Sequence, residues 1–147
     1  MKGKYYIAYG SNLDVDQMLQ RCPDAVTVGS SAIEGYKLVF RGNSRPGVAT
    51  IEPSEGSSIP VGIWAISSSD EDALDWYEGF PGLYVKQTFT LPVQGKAVNA
   101  MAYIMTPGYA VSPPSSRYLN TILDGYRDFG FDPAPLLEAA AEAGKGE

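Results

Sequence analysis

Apolar and polar positions alternate in two different rhythms along this chain, and the switches between them mark its elements. Lys4 to Tyr9 is a run of aromatic, branched and small residues, the pattern of a strand buried on both faces. Gly10-Ser11-Asn12 breaks the run, and Ser11 or Asn12 is placed to cap a helix over Leu13–Arg21 that stops before Pro23. Segments 32–41, 48–53 and 59–66 read as strands. Gly-Asn-Ser-Arg-Pro-Gly at 42–47 separates the first two, and Gly62 inside the third is a candidate bulge.

The second half repeats this punctuation. Ser68 with Glu71 three residues on predicts a capping box, and the acids at 70–72 suit a positive helix end. That helix stops at Gly79, with Pro81 just beyond. Leu83–Leu91 and Ala97–Met105 read as two long strands joined by a turn near Gln94-Gly95-Lys96. Pro107-Gly108 and Pro113-Pro114 mark a loop, after which Ser115 or Ser116 caps a helix from Arg117 to about Phe129. Leu119, Ile122, Leu123 and Tyr126 form one face of it. A last helix over Ala134–Ala143 precedes a frayed Gly-Lys-Gly-Glu end. Strands come in a run rather than in strict alternation with helices. The expected fold is therefore α+β: a mixed, mostly antiparallel small β-barrel or curled sheet with flanking helices. No repeat or linker interrupts it. We expect one domain over 1–147, with its core at about 4–131 and a terminal helix and tail at 132–147.

Composition narrows the partners. Eleven basic against seventeen acidic side chains leave a net charge of −6, which argues against nucleic acid and anionic membrane. An anionic substrate would have to be held by local dipoles. One cysteine, Cys22, excludes an internal disulfide and a multi-cysteine metal site. No apolar run approaches the roughly 18 residues of a membrane span. The N-terminus runs directly into a strand, so no signal peptide and a cytoplasmic location are expected.

The chain contains no histidine, and this restricts its chemistry. Ser11 as a nucleophile would lack the usual base. Cys22, followed by Pro23, reads as a buried, inert thiol. Asp70, Glu71 and Asp72 read as solvated acids at a helix start rather than as a metal cluster, so no metal is expected. Two features remain. Glu78 lies four residues after Leu74, on the same inward stripe and in the last helical turn, where desolvation and the negative helix end both raise a carboxyl pKa. A glutamate tuned in this way can act as a general base, although a solvated residue at a frayed helix end fits the helix pattern as well. Tyr9-Gly10-Ser11-Asn12 opens a strand onto a helical turn, where free N–H groups can meet a phosphate or carboxylate, or simply cap the turn.

These elements together resemble the γ-glutamylcyclotransferase (AIG2-like) family. Tyr9-Gly10-Ser11-Asn12-Leu13 is similar to its signature, as is Leu74-Asp75…Glu78-Gly79 followed by Leu83-Tyr84-Val85. Gly42-Asn43-Ser44, Gly47-Val48-Ala49-Thr50-Ile51, Val61-Gly62-Ile63-Trp64, Ala102-Tyr103-Ile104-Met105 and Pro113-Pro114-Ser115-Ser116-Arg117-Tyr118 extend the likeness in one order. The resemblance implies a γ-glutamylcyclotransferase-like fold and release of 5-oxoproline from a γ-glutamyl substrate, without a cofactor. It implies Glu78 as the acid/base and Tyr6, Ile7, Ala8, Tyr9, Gly10, Ser11 and Asn12 as the loop that cradles the γ-glutamyl part. It also implies Tyr103 and Tyr118 as pocket tyrosines, for which core packing is the other reading. Within the family it resembles, the double proline before Tyr118 implies the branch that acts on γ-glutamyl amino acids.

In the implied reaction the substrate's α-amine attacks its own γ-carbonyl, so the protein need supply no nucleophile. Two rival readings are a catalytically silent module that holds a small carboxylate and an enzyme for a γ-glutamyl amine such as a crosslink or natural-product conjugate. A monomer or a homodimer suits each of them.

Overall fold

The computed structural model describes residues 4–43 and 46–145. Ser44 and Arg45 of the 42–47 loop and the last two residues of the expected frayed end lie outside them. β1 (Lys4–Ala8), β2 (Val26–Arg41), β3 (Val48–Ile66), β4 (Tyr84–Val93) and β5 (Lys96–Met105) form one sheet in the order β2-β3-β1-β5-β4. All pairings are antiparallel except β1 with β5, which meet in parallel at Tyr6 and Met101. The two edge strands curl towards each other and touch through side chains. Ser31 Oγ donates to Pro92 O at 2.6 Å, Gln94 Nε2 donates to Val28 O at 2.9 Å, and Tyr36 meets Phe89 edge-on at 5.3 Å. The result is a curled sheet that nearly closes, with four helices around it.

Several local expectations are corrected. The segments at 48–53 and 59–66 are one strand, β3, and its register with β2 slips between Glu34/Tyr36 opposite residues 53–58. The irregularities lie on β2, at Gly35, whose φ of 78° admits a bulge, and between Thr27 and Gly29, while Gly62 itself pairs in register with Ser30 and Ala8. Gly62 is instead a packing glycine: a Cβ there would come within 2.7 Å of the Phe129 ring. The helix after the 9–12 loop begins later than its caps suggested. Ser11–Leu13 form a 3-10 turn, and α1 (Val15–Arg21) is capped by Asp14, which accepts from Gln17 N. Close packing sets this geometry, since a Cβ on Gly125 would lie 2.5 Å from the Leu13 backbone.

α2 (Ser68–Glu78) is capped one residue earlier than expected. Ser67 accepts from Asp70 N at 3.1 Å, and Asp70 reaches back to Ser67 N at 3.1 Å. The acidic cluster is also less solvated than its position implied. Asp70 is 1% exposed and Glu71 pairs with Lys4 and Lys86, leaving Asp72 in water. At its far end Phe80 N donates to Asp75 O and Gly79, with φ 71°, takes the left-handed position that stops the helix directly after Glu78. α3 (Ser116–Phe129), capped by Ser115, packs Ile122, Gly125 and Tyr126 inward. α4 (Ala134–Lys145) buries Leu136 and Ala143 and extends two residues past its expected end. No helix among the described residues is long and apolar enough to cross a membrane.

Candidate active site

Where β1 runs out, Tyr6 on the strand, Tyr9 and Gly10 just past it, the 3-10 turn, the end of α2 and the first turn of α3 surround a cavity of about 240 Å³. Glu78 contributes the one carboxylate of its lining; most of the remainder is aromatic or small. The pocket brings together Tyr6, Tyr9, Gly10, Ser11, Asn12, Glu78, Tyr103 and Tyr118, which are scattered over more than a hundred positions of sequence. Ile7 and Ala8 are not in the lining; both are fully packed in the sheet, at 0% and 1% exposure. Residues that sequence reasoning did not assign to the site are Val48, Ala49, Tyr77, Leu83 and Tyr84. Strand alternation was the available signal for Tyr84, because it starts a strand with an inward face.

Hydroxyl bonds fix the walls. Tyr84 OH donates to Ala49 O at 2.6 Å, and Ala49 N donates to Tyr118 OH at 3.0 Å, so β4 and α3 grip the same residue of β3. Tyr9 OH donates to Tyr103 O, while Tyr103 OH donates to Asp75 Oδ1 at 2.6 Å. Tyr103 therefore presents its ring to the cavity while its hydroxyl is tied to α2, whose Asp75 also pairs with Lys86 at 2.9 Å. Gly10 lies under Tyr118 and Ala49: a Cβ there would stand 3.3 Å from the Ala49 Cβ. On the 3-10 turn the first bond is Leu13 N to Gly10 O at 3.0 Å. Among the described hydrogen bonds, the N–H groups of Gly10, Ser11 and Asn12 have no acceptor.

Electrostatics single out one group. Burial pushes Glu78 up to about 7, against the pull of the Arg21 cation. Tyr6, Tyr9, Tyr84, Tyr103 and Tyr118 are all raised above the ordinary phenol value, burial being the first cause in each. They remain neutral donors at physiological pH, so Glu78 is the lining group that changes charge there. Ser11 Oγ has Tyr77 OH as its neighbour at 3.2 Å, which is no base. Cys22 is fully buried and its thiol is pushed up to about 11 by that burial.

The family model described as gamma-glutamyl cyclotransferase, AIG2-like, matches residues 6–125. The chain belongs to that family. A gamma-glutamylcyclotransferase of Bos taurus is 34% identical over 135 residues, covering 85% of this chain and 71% of that protein. Its Homo sapiens counterpart is 33% identical over the same shares. A solved structure described as gamma-glutamyl cyclotransferase superposes with a TM-score of 0.82 at 29% identity, over 97% of this chain and 87% of that one. The crystal structure of an uncharacterized Homo sapiens protein matches with a TM-score of 0.84 at 29% identity, over 96% and 88%. The matched span of the cyclotransferase model holds every residue that lines the cavity.

Proposed function

We propose that the site converts a γ-glutamyl amino acid or γ-glutamyl amine into 5-oxoproline and the free amine. The observation that carries this reading is a carboxylate poised near pH 7 inside an aromatic cavity, facing a turn with free N–H groups. The substrate's α-amine is the nucleophile and its γ-carbonyl the electrophile. Glu78 accepts the proton that the attacking nitrogen loses and delivers it to the leaving nitrogen. The N–H groups of Gly10, Ser11 and Asn12 receive the α-carboxylate or the carbonyl oxygen as charge develops on it. Tyr6, Tyr9, Tyr103 and Tyr118 wall the glutamyl chain into a ring-ready shape, and orientation of this kind supplies several kcal/mol of a cyclisation barrier.

A silent binding module is the weaker reading. Merely holding a small carboxylate leaves the raised Glu78 carboxyl without a role, whereas cyclisation needs a group that takes and returns a proton. The direct test is mass-spectrometric detection of 5-oxoproline after incubation with a panel of γ-glutamyl compounds. Release from at least one member is expected, and free glutamate as the primary product would overturn the reading.

Ser11→Ala separates cyclisation from covalent catalysis. Backbone donors of the turn survive this change, so activity should fall by no more than about 10-fold, the scale of one lost neutral hydrogen bond. A covalent acyl-serine route requires complete loss, with a trappable adduct on the parent. Intact-mass analysis during turnover distinguishes the two.

A further inference from the structure

Arg21 touches the walls of the site without lining the cavity. From the last turn of α1 its Nη1 donates to Asn12 Oδ1 and its Nη2 to Gln17 Oε1 at 3.4 Å. Its Cζ stands 3.5 Å from the centre of the Tyr77 ring. The residues that it holds are themselves joined to the cavity. Asn12 donates to Tyr6 OH at 2.8 Å, and Tyr77 OH lies 3.2 Å from Ser11 Oγ. Tyr77 is the residue directly before Glu78 on α2.

We infer that Arg21 is a positioning residue that clamps the 9–12 loop to the last turn of α2, and thereby sets the gap between the loop N–H groups and the Glu78 carboxylate. The arrangement needs arginine. A planar guanidinium can fork to two side-chain oxygens while its face stacks on a ring, whereas an ammonium is a point charge that does neither. The clamp crosses three elements, because α1, the 3-10 turn and α2 have no shared hydrogen-bond ladder to hold them in register.

Arg21 also acts on the base through its charge. The other titratable groups that bear on Glu78 are Tyr6 on β1, Tyr9 just after it, Tyr84 on β4 and Tyr118 on α3, all neutral phenols. Arg21 is the cation that draws the Glu78 carboxyl down against burial. Its removal leaves burial unopposed, so the acidic limb of the rate profile moves to higher pH. This part rests on Glu78 being the acid/base.

Three variants test the clamp in steady-state kinetics across pH, with a γ-glutamyl dipeptide as substrate and 5-oxoproline as the binding probe. Arg21→Met should lower kcat/KM by about 10-fold to 10²-fold, the range for a misplaced reacting geometry. It should also weaken 5-oxoproline binding and shift the acidic limb upward. Arg21→Lys keeps the charge and should retain the parent's limb while losing kcat/KM. Tyr77→Leu removes the stacking face together with the hydroxyl beside Ser11 Oγ, and should lose kcat/KM while keeping the parent's limb, as Arg21→Lys does. Parent values of kcat, KM and limb in Arg21→Met would overturn the inference. So would a loss that follows melting temperature alone and vanishes when the assay is cooled. If Arg21→Met does not fold, parent kinetics in both Arg21→Lys and Tyr77→Leu overturn it. Glu78→Gln in the same assay separates the two readings. Were that variant active, the acid/base role would fall, and the clamp would stand or fall on 5-oxoproline affinity in Arg21→Met.

Discussion

Glu78→Gln is expected to lower kcat by about 10²–10⁴-fold, the usual contribution of a general acid–base group. The amide is nearly isosteric and still fills its place beside Tyr77, so KM should change far less. The same substitution should stabilise the protein at high pH. Burial holds the Glu78 carboxyl at about 7 in the fold against 4.5 for an ordinary glutamate. A group raised by folding contributes its stability in full below its unfolded value and loses it as pH rises through its folded value. Above pH 7 the parent therefore carries an ionised carboxylate in a cavity that disfavours it. At about 1.36 kcal/mol per pH unit, the difference is at most about 3 kcal/mol. Glutamine removes that penalty. Thermal melts at pH 4 and pH 8 should show similar parent and variant at the lower pH, and a more stable variant at the higher one. A catalytic group that destabilises its own fold is a familiar trade-off. A variant that is less stable at pH 8, or one that keeps the parent's kcat, would contradict the assignment.

The second large effect is on the substrate side. An N-acetylated γ-glutamyl compound should release no 5-oxoproline at all, because an amide nitrogen is too weak a nucleophile to attack the γ-carbonyl. The reaction has no fallback nucleophile. Ser11 has a phenol for a neighbour, Cys22 is buried with its thiol raised to about 11, and the chain contains no histidine. Paired incubations of free and N-acetyl substrates, with product identification by mass spectrometry, check this. A hydrolase that used water would accept both compounds and give glutamate or N-acetylglutamate.

The two predictions lean on different parts of the molecule, and those parts were not equally legible in the sequence. Glu78 could be placed because an α-helix repeats every 3.6 residues. Four positions after Leu74, which is 0% exposed, the chain returns to the same stripe, and Gly79 stops it there. The strand β1, the break at Gly10 and the α3 face could be read for the same reason: each depends on contacts between near neighbours in sequence. The cause of the raised pKa was only partly legible. Desolvation was foreseen, but the opposing cation, Arg21, stands 57 positions earlier by number and reaches the site through Tyr77.

Helix starts show the boundary between the two kinds of information. Several residues near each start could accept the cap bond, and local pattern ranks them almost equally. Asp14 prevails over Ser11 and Asn12 because Leu13 must pack beneath Gly125, which tightens the preceding turn into a 3-10 geometry. Ser67 prevails over Ser68 because its partner Asp70 is buried, where it also accepts from Asp24 N at 3.4 Å. Likewise β3 continues through 54–58 because β2 bulges opposite it, a pairing that neither segment encodes alone.

By itself, then, the sequence determined the element types, the inward stripe that ends at Glu78, the family and the exclusion of histidine chemistry, since these follow from short-range periodicity, residue inventory and motif order. Tertiary structure alone decided which protein groups the wall hydroxyls bond, that Ile7 and Ala8 are packed away from the cavity, and that Tyr77, Tyr84 and Arg21 border it. The physical reason is that a side chain's direction is fixed by sheet register and by the parallel contact of β1 with β5. Those pairings are chosen by the burial of the whole core rather than by any one segment.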